Sequence, residues 1–207
     1  MIYSLEFFSS RCRFVGALGL SDRYVNGFLW LNKLGAAAAG GQSVVIRQTF
    51  YHGHYALIGE DLQPNPDFWI SALYKKLVGR KVLKIQGHEN TGNTLRLFAH
   101  CMKGPFISGG IPFTGIVVFG LNMANKTVEV PLHVSAIEEF KLSPDDGSLT
   151  SRKIRLNENV LNLDDGWKVP SLSGSVIYSG APKLGPFEMA FWTFKGYSVS
   201  AHACDND

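Results

Sequence analysis

No apolar run in this 207-residue chain approaches the roughly 20 residues that cross a bilayer as a helix, so no transmembrane segment is expected. Charge is scarce too: charged residues make up 18% and the net charge is only +3, which permits an anionic partner without demanding one. There is no arginine-rich stripe and no recognition motif, so nucleic acid is not an expected partner. Neither an internal repeat nor a low-complexity tract is present. His52 and His54 have no third or fourth ligand at suitable spacing, so neither a metal nor a cofactor is expected. A signal peptide is not convincing either, because the first apolar stretch is short and is broken by Glu6, Arg11 and Arg13.

Cysteine is rare, with three residues, which excludes a disulfide-dense scaffold. Cys12 lies in the N-terminal stretch, Cys101 in LRLFAHCMK and Cys204 in YSVSAHACDND. A Cys101–Cys204 bond would close a loop of about 100 residues and stabilise by about 4.7 kcal/mol in the loop-entropy model. Two reduced, buried cysteines fit the spacing equally well.

What is abundant is apolar: hydrophobic residues reach 45%, with 22 glycines and 14 phenylalanines. That composition belongs to a globular chain rich in turns and short strands. Residues 1–15 show no period and read as an unrelated or disordered segment joined at Gly16. Ser21 is then placed to cap a helix whose apolar face is Tyr24, Val25, Phe28, Leu31 and Leu34, with Gly35 as its stop. Residues 43–50, SVVIRQTF, read as a buried strand in which Arg47 needs a structural partner. Residues 51–65 read as a loop, and Asn65-Pro66 opens a second helix with Phe68, Trp69, Ala72, Leu73 and Leu77 inward. Lys75 and Lys76 complement the dipole of its last turn, and Gly79 ends it.

Beyond Gly79 the pattern changes to short strands at 81–85, 94–100, 115–121, 126–132, 137–142, 152–156, 160–163, 175–178, 188–194 and 197–203. Turns rich in Gly, Pro, Asn and Asp separate them, as in an all-β sandwich or barrel. The sequon Asn125-Lys126-Thr127 falls at an expected hairpin turn, making Asn125 a candidate glycosylation site.

Residues 20–35, LSDRYVNGFLWLNKLG, and 43–83, which include PDFWISALYKKLVGRKVL, resemble the heparanase family. LRLFAHC and the final AHAC are similar to the family's two-cysteine arrangement. The resemblance runs from about Gly16 to the end, strong as far as Cys101 and weaker between about Met102 and Ala201. It implies a secreted, extracellular-matrix or lysosomal endo-β-glucuronidase that cleaves heparan sulfate. The implied fold class is α+β: residues 16–79 as the last strand–helix units of a truncated (β/α)8 barrel, and residues 80–207 as a β-sandwich. It also implies the Cys101–Cys204 disulfide.

Retaining glycosidases set two carboxyl groups roughly 5–5.5 Å apart across the sugar, one as acid and one as nucleophile. The family's acid/base Glu comes from an earlier barrel strand, which has no counterpart here. Its nucleophile lies in a GETSS-type motif, and Glu6, followed by Ser9-Ser10, is a weak candidate at longer spacing. Gly53-His54-Tyr55 aligns with a Gly-Asn-Tyr segment that contacts substrate in the family, with one residue deleted before it. Such a position follows the last barrel strand, at the face where barrel active sites sit. Read alone, Tyr55 is a tyrosine packed in a loop; the resemblance makes it a hydrogen-bond partner for a uronate carboxylate. Lys75, Lys76, Arg80 and Lys81, with Lys84 nearby, form a basic cluster that would attract a sulfated polysaccharide, although a solvated helix end accounts for such a run as well.

Three functions follow. The leading one is a heparanase-like hydrolase portion that is inactive as this chain. The second is a non-catalytic module that binds heparan sulfate or heparin. In the third, another chain supplies the missing barrel portion. Two barrel units cannot close a sheet, so residues 43–50 and the faces of both helices are expected to lack partners and to leave an open apolar surface.

Overall fold

The computed structural model describes residues 16–88, 94–104, 106–108, 111–113, 115–132, 137–178, 180–194 and 204. Glu6 and the strand expected at 197–203, apart from the neighbouring Cys204, lie outside them. Two helices, α1 (Tyr24–Ala39) and α2 (Pro66–Leu77), precede a run of strands. These are β1 (Val78–Leu83), β2 (Leu95–Met102), β3 (Phe106–Ser108), β4 (Ile111–Phe113), β5 (Ile116–Asn122) and β6 (Val128–Glu129). They continue with β7 (Ile137–Pro144), β8 (Ile154–Leu156), β9 (Asn159–Val160), β10 (Ser175–Ile177), β11 (Lys183–Leu184) and β12 (Met189–Phe194).

The main sheet has eight strands in the order β1-β2-β5-β12-β7-β8-β9, with β10 also paired to β7. Every pairing is antiparallel. β3–β4 and β6–β11 form separate two-stranded pairs. At the centre, β12 (MAFWTF) is buried along its whole length, because its two faces serve two cores. Met189 and Phe191 face the helices, whereas Ala190, Trp192 and Phe194 face the layer carrying Val130 and Leu184. Register sets Phe98, Phe119, Phe191 and Phe140 directly opposite one another across β2, β5, β12 and β7. The ring centroids of Phe98–Phe119 and Phe119–Phe191 are 5.4 and 5.5 Å apart. Each ring so buried stabilises by about 1.5–3 kcal/mol, and the cross-strand pairing adds to it.

Both helices lie on this aromatic face and share one hydrophobic cluster with it. Helix α1 does not stop at Gly35. A Cβ there would sit 2.3 Å from the Phe98 ring, so the glycine is a contact point between helix and sheet, and four more helical residues follow it. Nor is Ser21 the N-cap: Arg23 holds that position. The first free amides of α1, from Tyr24 and Val25, instead donate to the Ser151 and Leu149 carbonyls at 2.8 Å. Asn65 precedes α2 as expected, but its side chain makes no capping bond. Helix α2 passes straight into β1, and Gly79 lies in that strand, where a Cβ would meet the Cys101 carbonyl at 2.6 Å.

Residues 43–50 are not a strand. They keep a strand's alternation, with Val45 packed on the core and Val44 and Ile46 exposed at 71% and 80%. A ladder needs a neighbour, and none of the described strands lies beside this segment. The strand expected at 126–132 shortens to β6, which pairs with the unanticipated β11.

Candidate substrate loop and the surfaces around it

The loop between residue 43 and α2 is held by polar residues from both sides. Arg47, with its side chain only 13% exposed, forms an ion pair with Asp67 Oδ2 at 2.6 Å. Its Nε and Nη2 donate to the Tyr55 carbonyl at 3.1 and 2.6 Å, and its guanidinium lies 4.7 Å from the Trp30 ring centroid. Asp67 Oδ2 also accepts from Asn26 Nδ2 at 2.6 Å, while Oδ1 is buried with no hydrogen-bond partner among the described residues. Burial pushes the Asp67 carboxyl above the usual carboxylate range, and Arg47 and Asn26 only partly counter it. The structural partner that Arg47 required is therefore Asp67.

Gly53, His54 and Tyr55 sit half-buried on this support. The turn into them is tight: His52 and Gly53 adopt φ of 67° and 96°, and Ala56 N–H donates to the Gly53 carbonyl at 3.0 Å. The Tyr55 ring packs on Gly16, where a Cβ would come within 2.6 Å of it. His52 and Glu60 form a solvated 3.4 Å pair. No group of three metal-ligating side chains occurs among the described residues.

On the other side, Arg152 donates from Nη1 and Nη2 to the two Asp61 carboxylate oxygens, each at 2.6 Å. Its Nε donates to Asn65 Oδ1 at 3.2 Å, and Asn65 Nδ2 donates to the Ala56 carbonyl at 2.9 Å. The Arg152 hydrogen bonds hold the Asp61 carboxyl below the usual range. Sequence reasoning missed Arg152 and Asp61, since only the fold brings residues 91 apart together.

The basic residues divide between the end of α2 and edge strand β1. Lys76 Nζ donates to the Leu172 carbonyl and lies 5.8 Å from the Phe140 ring centroid. Arg80 and Lys81 are adjacent in edge strand β1, where neighbouring side chains point to opposite faces. Lys75, Arg80 and Lys84 are exposed, and Lys103, whose Nζ donates to the Lys75 carbonyl at 3.3 Å, joins that end of the molecule. Asn125 is exposed in a bend that leads from β5 to β6, a crossing to the second layer and not a hairpin. Asn122 organises that bend by donating to the Lys126 and Gly185 carbonyls, both at 2.8 Å. Cys101 and Cys204 are joined by a disulfide. Beside it, His100 is buried. Its Nδ1–H donates to the Gly79 carbonyl at 3.0 Å, its Nε2 has no partner among the described residues, and burial pushes its pKa down.

An antiparallel sheet with two helices on one face, carrying a doubly anchored polar loop, is thus the class that fold and site define. No family model matches the chain. Among curated proteins it is similar to a heparanase from Bos taurus, 34% identical over 197 residues, covering 90% of this chain and 35% of that protein. It is also similar to a hyaluronoglucuronidase from Hirudo nipponia, 38% identical over 154 residues, covering 72% of this chain and 31% of that protein. A third is the inactive heparanase-2 of Homo sapiens, 32% identical over 206 residues, covering 91% of this chain and 34% of that protein. The chain belongs to the heparanase family, of which it represents the C-terminal portion. It spans about a third of the length of the curated relatives it matches.

Proposed function

We propose that this chain is the C-terminal part of a heparanase-like glycoside hydrolase acting on glucuronide bonds of heparan sulfate by a retaining mechanism. Residues 53–55 contact the sugar, and the chain does not cleave it alone. One observation carries this reading: a loop aligned with the family's substrate segment is preset at Tyr55 by the buried Arg47–Asp67 pair. Preset contacts hold substrate without ordering cost at the moment of binding. Two carboxylates at this loop are committed elsewhere. Asp67 serves Arg47 and Asn26, and Asp61 serves Arg152, so neither is placed as acid or nucleophile.

Residues 43–79, together with α1, are the last units of a (β/α)8 barrel in this reading. The alternation of exposed Val44 and Ile46 with inward Val45 and Arg47 supports it, as does an apolar groove of about 510 Å³ between α1 and Met123, Leu149 and Phe187. The remaining barrel, in the same or another chain, would cover these surfaces. The disulfide and the exposed Asn125 sequon support an extracellular or lysosomal setting, where both chemistries occur.

The test is release of fragments from heparan sulfate by the purified chain beside its Glu6→Gln variant, with neither expected to release any. Release by the first and not the second would make Glu6 the nucleophile and refute the reading. A second reading, a non-catalytic module that binds heparan sulfate, is favoured by the 32% identity to an inactive heparanase-2 and by exposed Lys75 and Arg80. Strong retention on a heparin column, lost when these residues are neutralised, distinguishes it.

A further inference from the structure

We infer that Arg152, a turn residue far from residues 53–55 in sequence, is a positioning residue for sugar binding, because it locks the far arm of the substrate loop to the turn between β7 and β8. This role rests on residues 53–55 meeting sugar, as proposed above.

The geometry is that of a clamp. All three guanidinium nitrogens of Arg152 are spent on the loop, two on Asp61 and one on Asn65. A planar fork on a carboxylate fixes both distance and plane, which a lysine cannot do. The fork also lies against the loop backbone: a Cβ on Gly59 would be 2.2 Å from Nη2. Asn65 relays the contact inward, since it is buried, receives Arg152 Nε and donates to the Ala56 carbonyl, one residue beyond Tyr55.

The turn that carries Arg152 is itself fixed. Its Leu149 and Ser151 carbonyls accept the first amides of α1, and Ser151 Oγ donates to the Lys153 carbonyl at 2.9 Å. The loop arm needs such an anchor, because its own closure places Leu62 at a φ of 62° and rests on few backbone bonds, among them Gly59 N–H to the Gln63 carbonyl and Asn65 N–H to the Leu57 carbonyl. Arg47 holds the near arm at Tyr55 and Arg152 holds the far arm, so the conformation of residues 53–55 is set between two arginines.

The experiment uses the purified chain and its Arg152→Ala, Asp61→Ala and doubly substituted forms. Amide hydrogen exchange is followed peptide by peptide, and binding of a heparan sulfate hexasaccharide is titrated. Both single substitutions are expected to speed exchange across residues 57–65 about tenfold while leaving α1 and β2 unchanged, because the opening is local. Hexasaccharide affinity should fall several-fold, and the double form should be no worse than Arg152→Ala, since that substitution alone already removes the Arg152–Asp61 pair. Arg152→Lys should recover only part of the loss. Unchanged exchange, or unchanged affinity in both single variants while the unaltered chain binds, overturns the positioning role and leaves the loop's sugar contact standing. Absence of hexasaccharide binding by the unaltered chain instead refutes the substrate-loop reading, and the role of Arg152 falls with it.

Discussion

Replacing Arg47 with Met should destabilise the chain in a way that depends on pH. The substitution keeps an apolar stem against Trp30 but removes the cation from Asp67 and both donors from the Tyr55 carbonyl. Removing one partner of a buried ion pair typically costs about 3–5 kcal/mol, because the other charge stays buried and unpaired. Asp67 can escape part of that cost by taking up a proton. From an ordinary carboxylate value near 3.8, that uptake costs about 4 kcal/mol at pH 7 and about 2 kcal/mol at pH 5. Protonation therefore caps the penalty, and the cap falls with pH.

The sign is fixed by linkage. In the variant the folded state holds a proton that the unfolded state has released, so its stability drops as pH rises above the unfolded value. Urea unfolding at pH 7 and pH 5 should show a loss relative to the unaltered chain of about 3–4 kcal/mol at the higher pH and about 2 kcal/mol at the lower. Adding Asp67→Asn to Arg47→Met should recover much of the difference at pH 7 and remove its pH dependence. If the double variant is no more stable than Arg47→Met, or if the loss is equal at both pH values, the Arg47–Asp67 pair is not what holds this loop.

The disulfide joins residues 103 apart, so Cys204→Ser should lower stability by about 4–5 kcal/mol in the loop-entropy model, and reductant should lower the melting temperature of the unaltered chain but not that of the variant. An equal effect of reductant on both would place the responsible thiol chemistry elsewhere. His100 is neutral and buried with its pKa pushed down, so the unfolded chain takes up a proton first as pH falls and stability is lost below about 6.5. His100→Gln should flatten that part of the pH–stability curve relative to the unaltered chain; parallel curves from pH 7.5 to 5 would show that another group is responsible.

Much of the fold was legible because its signals are local. The start of α2 at Asn65-Pro66, the buried run MAFWTF and the strands around Phe98, Phe119 and Phe140 all follow from period and composition, although Asn65 does not make the side-chain cap expected of it. The misreadings occur where a distant partner decides the outcome. Gly35 has the chemistry of a helix stop, yet α1 continues because the missing Cβ is what admits the Phe98 ring. The β-branched run at 43–50 has the chemistry of a strand, yet it joins no ladder among the described strands, because propensity supplies no ladder partner.

The loop shows the same limit more sharply. Arg47 was conspicuous as a charge in an apolar run, so its need for a partner was readable, and Asp67, only 20 positions on, supplies it. Arg152 and Asp61 sit in polar surroundings where a charge needs no explanation, and nothing local distinguishes them from solvated residues. Their importance arises only when a turn of the sheet, fixed by the first amides of α1, meets the far arm of the loop. Chemistry out of place in its own segment can be read from the chain, whereas ordinary chemistry given meaning by topology cannot. The two arginines of this loop are one example of each. Arg47→Met should therefore cost global stability, while Arg152→Ala should alter chiefly the exchange and sugar affinity of the loop.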